Sequence, residues 1–236
     1  MAFDAYTLRA RVLPGVIATL PMILLVSLTV FEPLAGVVPA VGGLALAYWA
    51  SEFVRQEGVR QEARLKRKWG GMPTTSALRY RKQSDPGVTV RRRALEQLTG
   101  RELPSAHEED TDPDAAEQSI ERLVKVGIAV IRQNKIEADV LQQENTSYGF
   151  RRNLRALKSI GLLASLVAAA IAIVFAHEQP VLLSFLLCLD GVIGLLWLAV
   201  VRDGWVYQQA EKYAERFFIA IETAALKQSA SEQGGR

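Results

Sequence analysis

Cysteine and histidine are almost missing from this chain: one Cys, Cys188, and two His among 236 residues. A single Cys excludes any internal disulfide and leaves the redox compartment open. Together with two His it falls short of a typical structural zinc site. The one glycine pair ahead of a helix start, Gly70–Gly71, lacks the GxxxxGK[ST] spacing of a nucleotide P-loop. No cleavable signal peptide is recognisable, because the first apolar run holds Pro14 and Pro21 and is followed at once by a second run.

Charge is the more informative shortage. Residues 12–31, 34–50, 159–176 and 181–201 carry no ionised side chain except Asp190. At about 1.5 Å per residue, a helix of about 20 residues crosses the hydrocarbon core of a bilayer. The pattern predicts an all-α membrane protein with four transmembrane helices in two hairpins and helical cytoplasmic extensions. The first hairpin occupies 1–50, a cytoplasmic helical region 51–158, the second hairpin 159–201, and a C-terminal helix and tail 202–236. Pro14 and Pro21 fit a kinked membrane helix. Gly36, Gly42 and Gly43 favour close helix packing.

Lys and Arg set the orientation. The short loops Glu32–Pro33 and His177–Pro180 hold none of the chain's 28 basic residues. The positive-inside rule then places both termini and the middle region in the cytoplasm, at the inner membrane of a bacterium. His107 and His177 fall on opposite sides of that membrane, so no nucleophile–His–acid set can form. Neither an enzyme nor a cofactor is expected.

The cytoplasmic region divides by charge. Residues 51–101 hold 13 basic and 5 acidic side chains, net +8, whereas 102–121 hold 8 acids and no Lys or Arg. A helix is predicted to continue from the second span through Ser51–Lys68 and to break at Gly70–Gly71. A short helix 76–82, a turn at 84–87, and a helix 88–99 capped by Gly100 follow. Asp112–Pro113 predicts a helix start with Asp as cap. Its apolar stripe Ile120, Leu123, Val124, Ile128, Ile131 has helical spacing. Asn134–Lys135 reads as a break, Val140–Leu141 as a link, and 144–153 as a helix entering the third span. After the fourth span, Val206, Ala210, Tyr213, Phe217, Ile221 and Ala224 form a second stripe, made to pack on a helix of this subunit or of a copy. Residues 228–236 read as a disordered polar tail.

Four groups of side chains are candidate sites. Asp190 is costly at the bilayer centre, so it either lines a conduction path or, protonated, bonds to Ser165, Thr29 or a carbonyl and serves assembly. The elbow of Trp69, Gly70, Gly71 and Thr74, with Arg79, Arg81, Lys82 and Arg91, Arg92, Arg93, either binds a phosphate-rich ligand or faces anionic lipid heads. Arg151 and Arg152, beside Tyr148 and Phe150, either read single-stranded nucleic acid or anchor the third span. The acidic run Glu108, Glu109, Asp110, Asp112 either holds a cation, forms a solvated loop, or pairs with the basic half.

The segments Trp69–Thr75 and Glu144–Asn153, with the Asp112–Pro113 helix start between them, resemble shared motifs of bacterial four-span membrane effectors of anti-phage defence loci. The plan is similar to the effectors of Hailong-type systems. That resemblance implies an ion-channel-like oligomer; four spans are too few to line a pore alone, and a homo-oligomer of four copies is the first expectation. It also implies gating through the cytoplasmic region by a nucleotide or short oligonucleotide from a partner nucleotidyltransferase. The first alternative is a non-conducting scaffold that docks a soluble partner; a membrane enzyme acting on lipids or nucleotides comes after it, since no catalytic set supports it.

Overall fold

The computed structural model describes residues 5–29, 37–80, 87–134 and 138–234. Among these, every regular element is helical. In chain order they are Ala5–Thr7 (α1), a π-helical turn Leu8–Val12, Leu13–Thr29 (α2), Val37–Trp69 (α3), Pro73–Ser76 (α4), Gly87–Thr99 (α5), Ala106–Thr111 (α6), Pro113–Asn134 (α7), Ala138–Ala156 (α8), Lys158–Phe175 (α9), Pro180–Ala199 (α10) and Asp203–Gly234 (α11). The chain forms two compact units, one of Met1–Arg64 with Thr146–Val206 and one of Leu65–Asn145 with Tyr207–Arg236. The divisions fall inside α3 and α11 and within α8, so the predicted segment 51–158 is shared between both units.

The first unit contains the apolar helices. Among the described residues, Ala5–Leu25, Lys158–Phe175 and Pro180–Ala199 are long and apolar enough to cross a membrane. The last two match the predicted spans closely, and the first begins earlier. Residues 30–36, with the first predicted loop and the start of the span 34–50, lie outside the described residues. From Val37 the chain is one helix to Trp69, so the predicted continuation beyond residue 50 is present.

A small-residue face of α9 brings its neighbours close. Gly161, Ser165, Ala168 and Ala172 are buried at intervals of three and four. Trp197 of α10 lies on Gly161, while Ala168 and Ala172 share a core with Leu25 and Leu186. A tight turn joins α9 to α10, with Gln179 N–H donating to Ala176 O at 2.9 Å and Pro180 opening the next helix. The outward side chains are large and apolar: Leu166 is 70% exposed, Phe175 75% and Val181 84%. Such a surface fits hydrocarbon, not water.

The second unit has its own core. Leu95 of α5, Ile120, Leu123 and Ile131 of α7, Leu141 of α8, and Phe217 and Ile221 of α11 are all buried together. Both predicted stripes are therefore real. The stripe on α11 is occupied by this subunit's own helices at Phe217 and Ile221, so it is not free for a copy. At Gly127 the missing side chain admits Leu95 and Phe217.

Four local expectations are corrected. The short helix occupies Pro73–Ser76 and does not extend over 77–79 of the predicted 76–82, because Pro73 takes the first helical position; 81–82 and most of the predicted turn 84–87 lie outside the described residues. Val140–Leu141 is no link: both lie within α8, and Leu141 is held by the core. The tail is helical to Gly234. The acidic run forms α6. Ser105 accepts the Glu108 N–H at 3.3 Å, and Glu108 Oε2 accepts the Ser105 N–H at 2.7 Å, a reciprocal cap. These bonds from Ser105 hold the Glu108 carboxyl below its ordinary range. The folded pKa is lowered, so the cap stabilises at neutral pH and its contribution is lost as pH falls through that pKa.

A Cβ at position 161 would sit 2.4 Å from the Trp197 ring, which is rigid and buried. Gly161→Ala is expected to cost about 1–3 kcal/mol, as overpacked sites do. Gly204, where an added Cβ would meet nothing within 4 Å, is the control. Thermal unfolding in detergent should show a lowered midpoint for Gly161→Ala and an unchanged or raised one for Gly204→Ala.

Candidate functional site

At the elbow the anion is the protein's own. α3 ends at Trp69, whose ring meets Tyr207 edge-on at 5.1 Å. Gly70 and Gly71 take φ of 68° and 126°, values that favour glycine, and Gly71 N–H returns to Lys66 O at 3.0 Å. Pro73, Thr74 and Thr75 are buried in α4. Glu117 of α7 fills the concavity: Thr75 Oγ1 donates to it at 3.1 Å, Arg79 pairs with it, and Lys66 lies 3.9 Å away. Lys66 also pairs with Glu121. A side chain at position 71 would meet Ser76 Oγ at 2.9 Å and Glu117 at 3.3 Å.

Arg92 is likewise spent internally. It is 3% exposed. Its Nη1 donates to Glu109 Oε1 at 3.0 Å and to Leu78 O at 2.5 Å, and its Nη2 to Pro104 O. The guanidinium stacks 3.9 Å from the Tyr80 ring centroid, and Tyr80 N–H donates to Glu109 Oε2 at 2.9 Å. One buried pair thus ties α5, α6 and the chain after α4 together. A buried arginine so engaged cannot reach a ligand. Arg91 is half-buried 5.0 Å from the Phe218 ring, and Arg93 is exposed. Arg81 and Lys82 lie outside the described residues. Of the alternatives for the acidic run, Glu109 takes pairing with the basic half.

In the first unit, Asn153 anchors the N-terminal part of the first span. It is 1% exposed and donates from Nδ2 to Ala10 O at 2.6 Å. Ala10 lies in the π-helical turn, closed by Leu13 N–H to Leu8 O. Gly58 of α3 leaves the room that Asn153 fills. Arg152 pairs with Glu62 and lies over Tyr148 at 5.7 Å. Burial pushes the Tyr148 hydroxyl pKa upward, with Glu62 adding to the effect, so the phenol stays neutral. Arg151 donates to Trp205 O at 3.0 Å and stacks on that indole at 4.8 Å. Arg155 donates to Asp203 at 2.7 Å.

Arg151, Phe150, Thr146 and Ser147 of α8, Arg9, Leu13 and Trp205 line an open cavity of about 370 Å³. Sequence reasoning finds the aromatic and basic α8 members and misses Arg9 and Trp205. Their signal is available: a basic residue near the start of one span and an aromatic just after another belong at one interface.

Asp190 lies among apolar neighbours. It lines a crevice of about 20 Å³ with Pro21, Leu25, Ala168, Ala172 and Ile193. Its Oδ1 is buried without a hydrogen-bond partner among the described residues, and the nearby Ser165 hydroxyl also closes no bond of normal geometry. The side chain of Thr29 lies outside those described. Pro21 lacks an N–H, so one α2 carbonyl beside the crevice loses its helical donor. The crevice has room for about one water. Gly191 and Gly194, the next small residues of α10, meet nothing within 4 Å.

The chain matches no known family profile, no curated protein and no solved structure.

Removing one partner of the buried pair leaves a charge without its counter-ion. Arg92→Ala is expected to cost about 3–5 kcal/mol. Arg93→Ala, at a position with more solvent around it, should stay within about 0.5 kcal/mol of the parent. Thermal or denaturant unfolding of the full chain checks both. Equal effects would mean that Arg92 is not the tie between these elements.

Proposed function

We propose that this chain is an oligomeric, channel-like membrane effector, held in a bacterial inner membrane by four spans in two hairpins. Its helical second unit would receive the controlling signal. The single observation that carries the reading is Asp190, an acid on an apolar helix with one oxygen buried and no hydrogen-bond partner of normal geometry among the described residues. Intramembrane acids are costly and gather at ion paths and assembly contacts. The apolar exterior of α9 and α10 supports insertion, and the open glycines beside Asp190 suit close approach of a second copy.

In a ring of copies the Asp190 carboxylates would converge, and like charges resist simultaneous ionisation. An entering cation relieves that repulsion, so such a ring favours cations. Asp190→Asn keeps shape and hydrogen bonding but removes the charge. Expression of the parent is expected to depolarise the membrane, and Asp190→Asn should leave assembly intact and abolish most of that depolarisation. Full depolarisation by the Asn variant would sink conduction through this residue and leave it an assembly contact.

The four-span reading places both termini and the middle of the chain in the cytoplasm. It rests on the absence of Lys and Arg from the two short loops. Reporter fusions after residue 105 and after the C-terminus are expected to report cytoplasm in both cases. An external signal at either point overturns the orientation.

Control by a nucleotide or short oligonucleotide, with anti-phage defence as its setting, stands on the motif resemblance and the basic excess of 51–101. The ligand would meet Arg93, which is exposed, rather than Arg79 and Arg92, which hold carboxylates. A scaffold that docks a soluble partner is a second reading. One observation favours it: Ile219 and Leu226, a heptad apart on α11, are both exposed.

A further inference from the structure

The cavity of the first unit is the best-formed unassigned site. Its walls come from three places in the chain: the π-helical turn and start of α2 (Arg9, Leu13), the middle of α8 (Thr146, Ser147, Phe150, Arg151), and the start of α11 (Trp205). Two cations, two hydroxyls and two aromatic rings converge on about 370 Å³. The walls are fixed. Asn153 pins the π-helical turn through Ala10 O, and α8 lies so close to the N-terminal segment that a Cβ at Gly149 would be 3.3 Å from Ala10 Cβ and from the Tyr6 hydroxyl. Phe150 meets Trp205 edge-on at 6.5 Å, and Arg151 is stacked on Trp205. Arg9 is exposed and has no carboxylate partner among the described residues. Among the described residues, no carboxylate lines the cavity.

Location narrows the ligand. Leu13 belongs to the first candidate span, and Trp205 follows shortly after the third described one. The cavity therefore sits where apolar helix surface gives way to charge. Interfacial tryptophan and arginine at that depth meet lipid headgroups, and arginine pairs with phosphate through two donors at once. A soluble phosphate ester would share the polar contacts but gain nothing from the adjoining apolar surface.

We infer that this cavity binds the phosphate headgroup of an anionic phospholipid from the cytoplasmic leaflet, with Arg9 and Arg151 on the phosphate and the acyl chains along α2. The inference is independent of whether the membrane part conducts. Hydroxyls of Thr146 and Ser147 complete the polar wall, and Leu13 and Phe150 border the apolar path.

The test uses the full chain in mild detergent, with phosphatidylglycerol, phosphatidylcholine or glycerol 3-phosphate added, and reads the thermal unfolding midpoint and lipid retained by native mass spectrometry. Phosphatidylglycerol should raise the midpoint and be retained, while phosphatidylcholine does neither. Arg9→Gln alters an exposed residue and should weaken retention of phosphatidylglycerol about fivefold, the worth of one basic residue near an anionic surface. Ser147→Ala tests the hydroxyl wall if Arg151→Gln fails to fold. Equal retention by parent and Arg9→Gln overturns the assignment, as does equal stabilisation by phosphatidylcholine. Stabilisation by glycerol 3-phosphate matching that by phosphatidylglycerol assigns the site to a soluble ester and overturns the lipid.

Discussion

Hydrocarbon tolerates almost no unpaired charge, and that constraint orders the rest of this protein. Three described helices carry apolar exteriors, and Asp190 is their only acid. Their other ionised groups, Arg9, Arg11 and Lys158, lie towards helix starts, and all the rest fall outside these helices. Crowded there, the charges must neutralise one another or face water. The basic excess of 51–101 and the acidic excess of 102–121 are equal and opposite, and the fold uses that balance. Glu109 takes Arg92, and Glu117 takes Arg79 with Lys66 nearby.

This neutralisation changes how the glycine elbow is understood. A Gly–Gly turn ahead of a helix start, surrounded by arginines, has the chemistry of an anion site. The chemistry is used, but the anion is a carboxylate from α7. A buried arginine with several acceptors locks elements in place and makes the unit cooperative. The basic surface left for an outside partner is correspondingly smaller. Arg93 keeps some access to solvent, whereas the Arg91 guanidinium is over an aromatic ring.

Small residues do the corresponding work in the first unit. Gly161, Ala168 and Ala172 let α2 and α10 approach α9, since van der Waals packing rather than hydrophobic exclusion holds helices together in lipid. Asn153 supplies a buried directional contact, and Gly58 makes room for it. The same contact fixes the π-helical turn, and with it the wall of the interfacial cavity.

Composition and periodicity by themselves determined the helical class, the apolar spans at 159–176 and 181–201, the long helix beyond residue 50, and the two stripes that make the second core. Those features follow from local rules, since a period near four residues and a run of about 20 apolar residues are visible without knowing any partner. The Ser105–Glu108 cap is legible by the same kind of rule, although the acidic run that holds it has the composition of a solvated loop. Partner choice was not legible. Whether Arg92 met a phosphate, a lipid or Glu109 depended on how α5 and α6 came together on α7, and whether the α11 stripe served a copy or this subunit depended on closure of the second core. The cavity of Arg9, Arg151 and Trp205 joins residues nearly 200 positions apart. Electrostatic and packing partners are set by distance in space, and only the tertiary structure brings those residues within reach of one another.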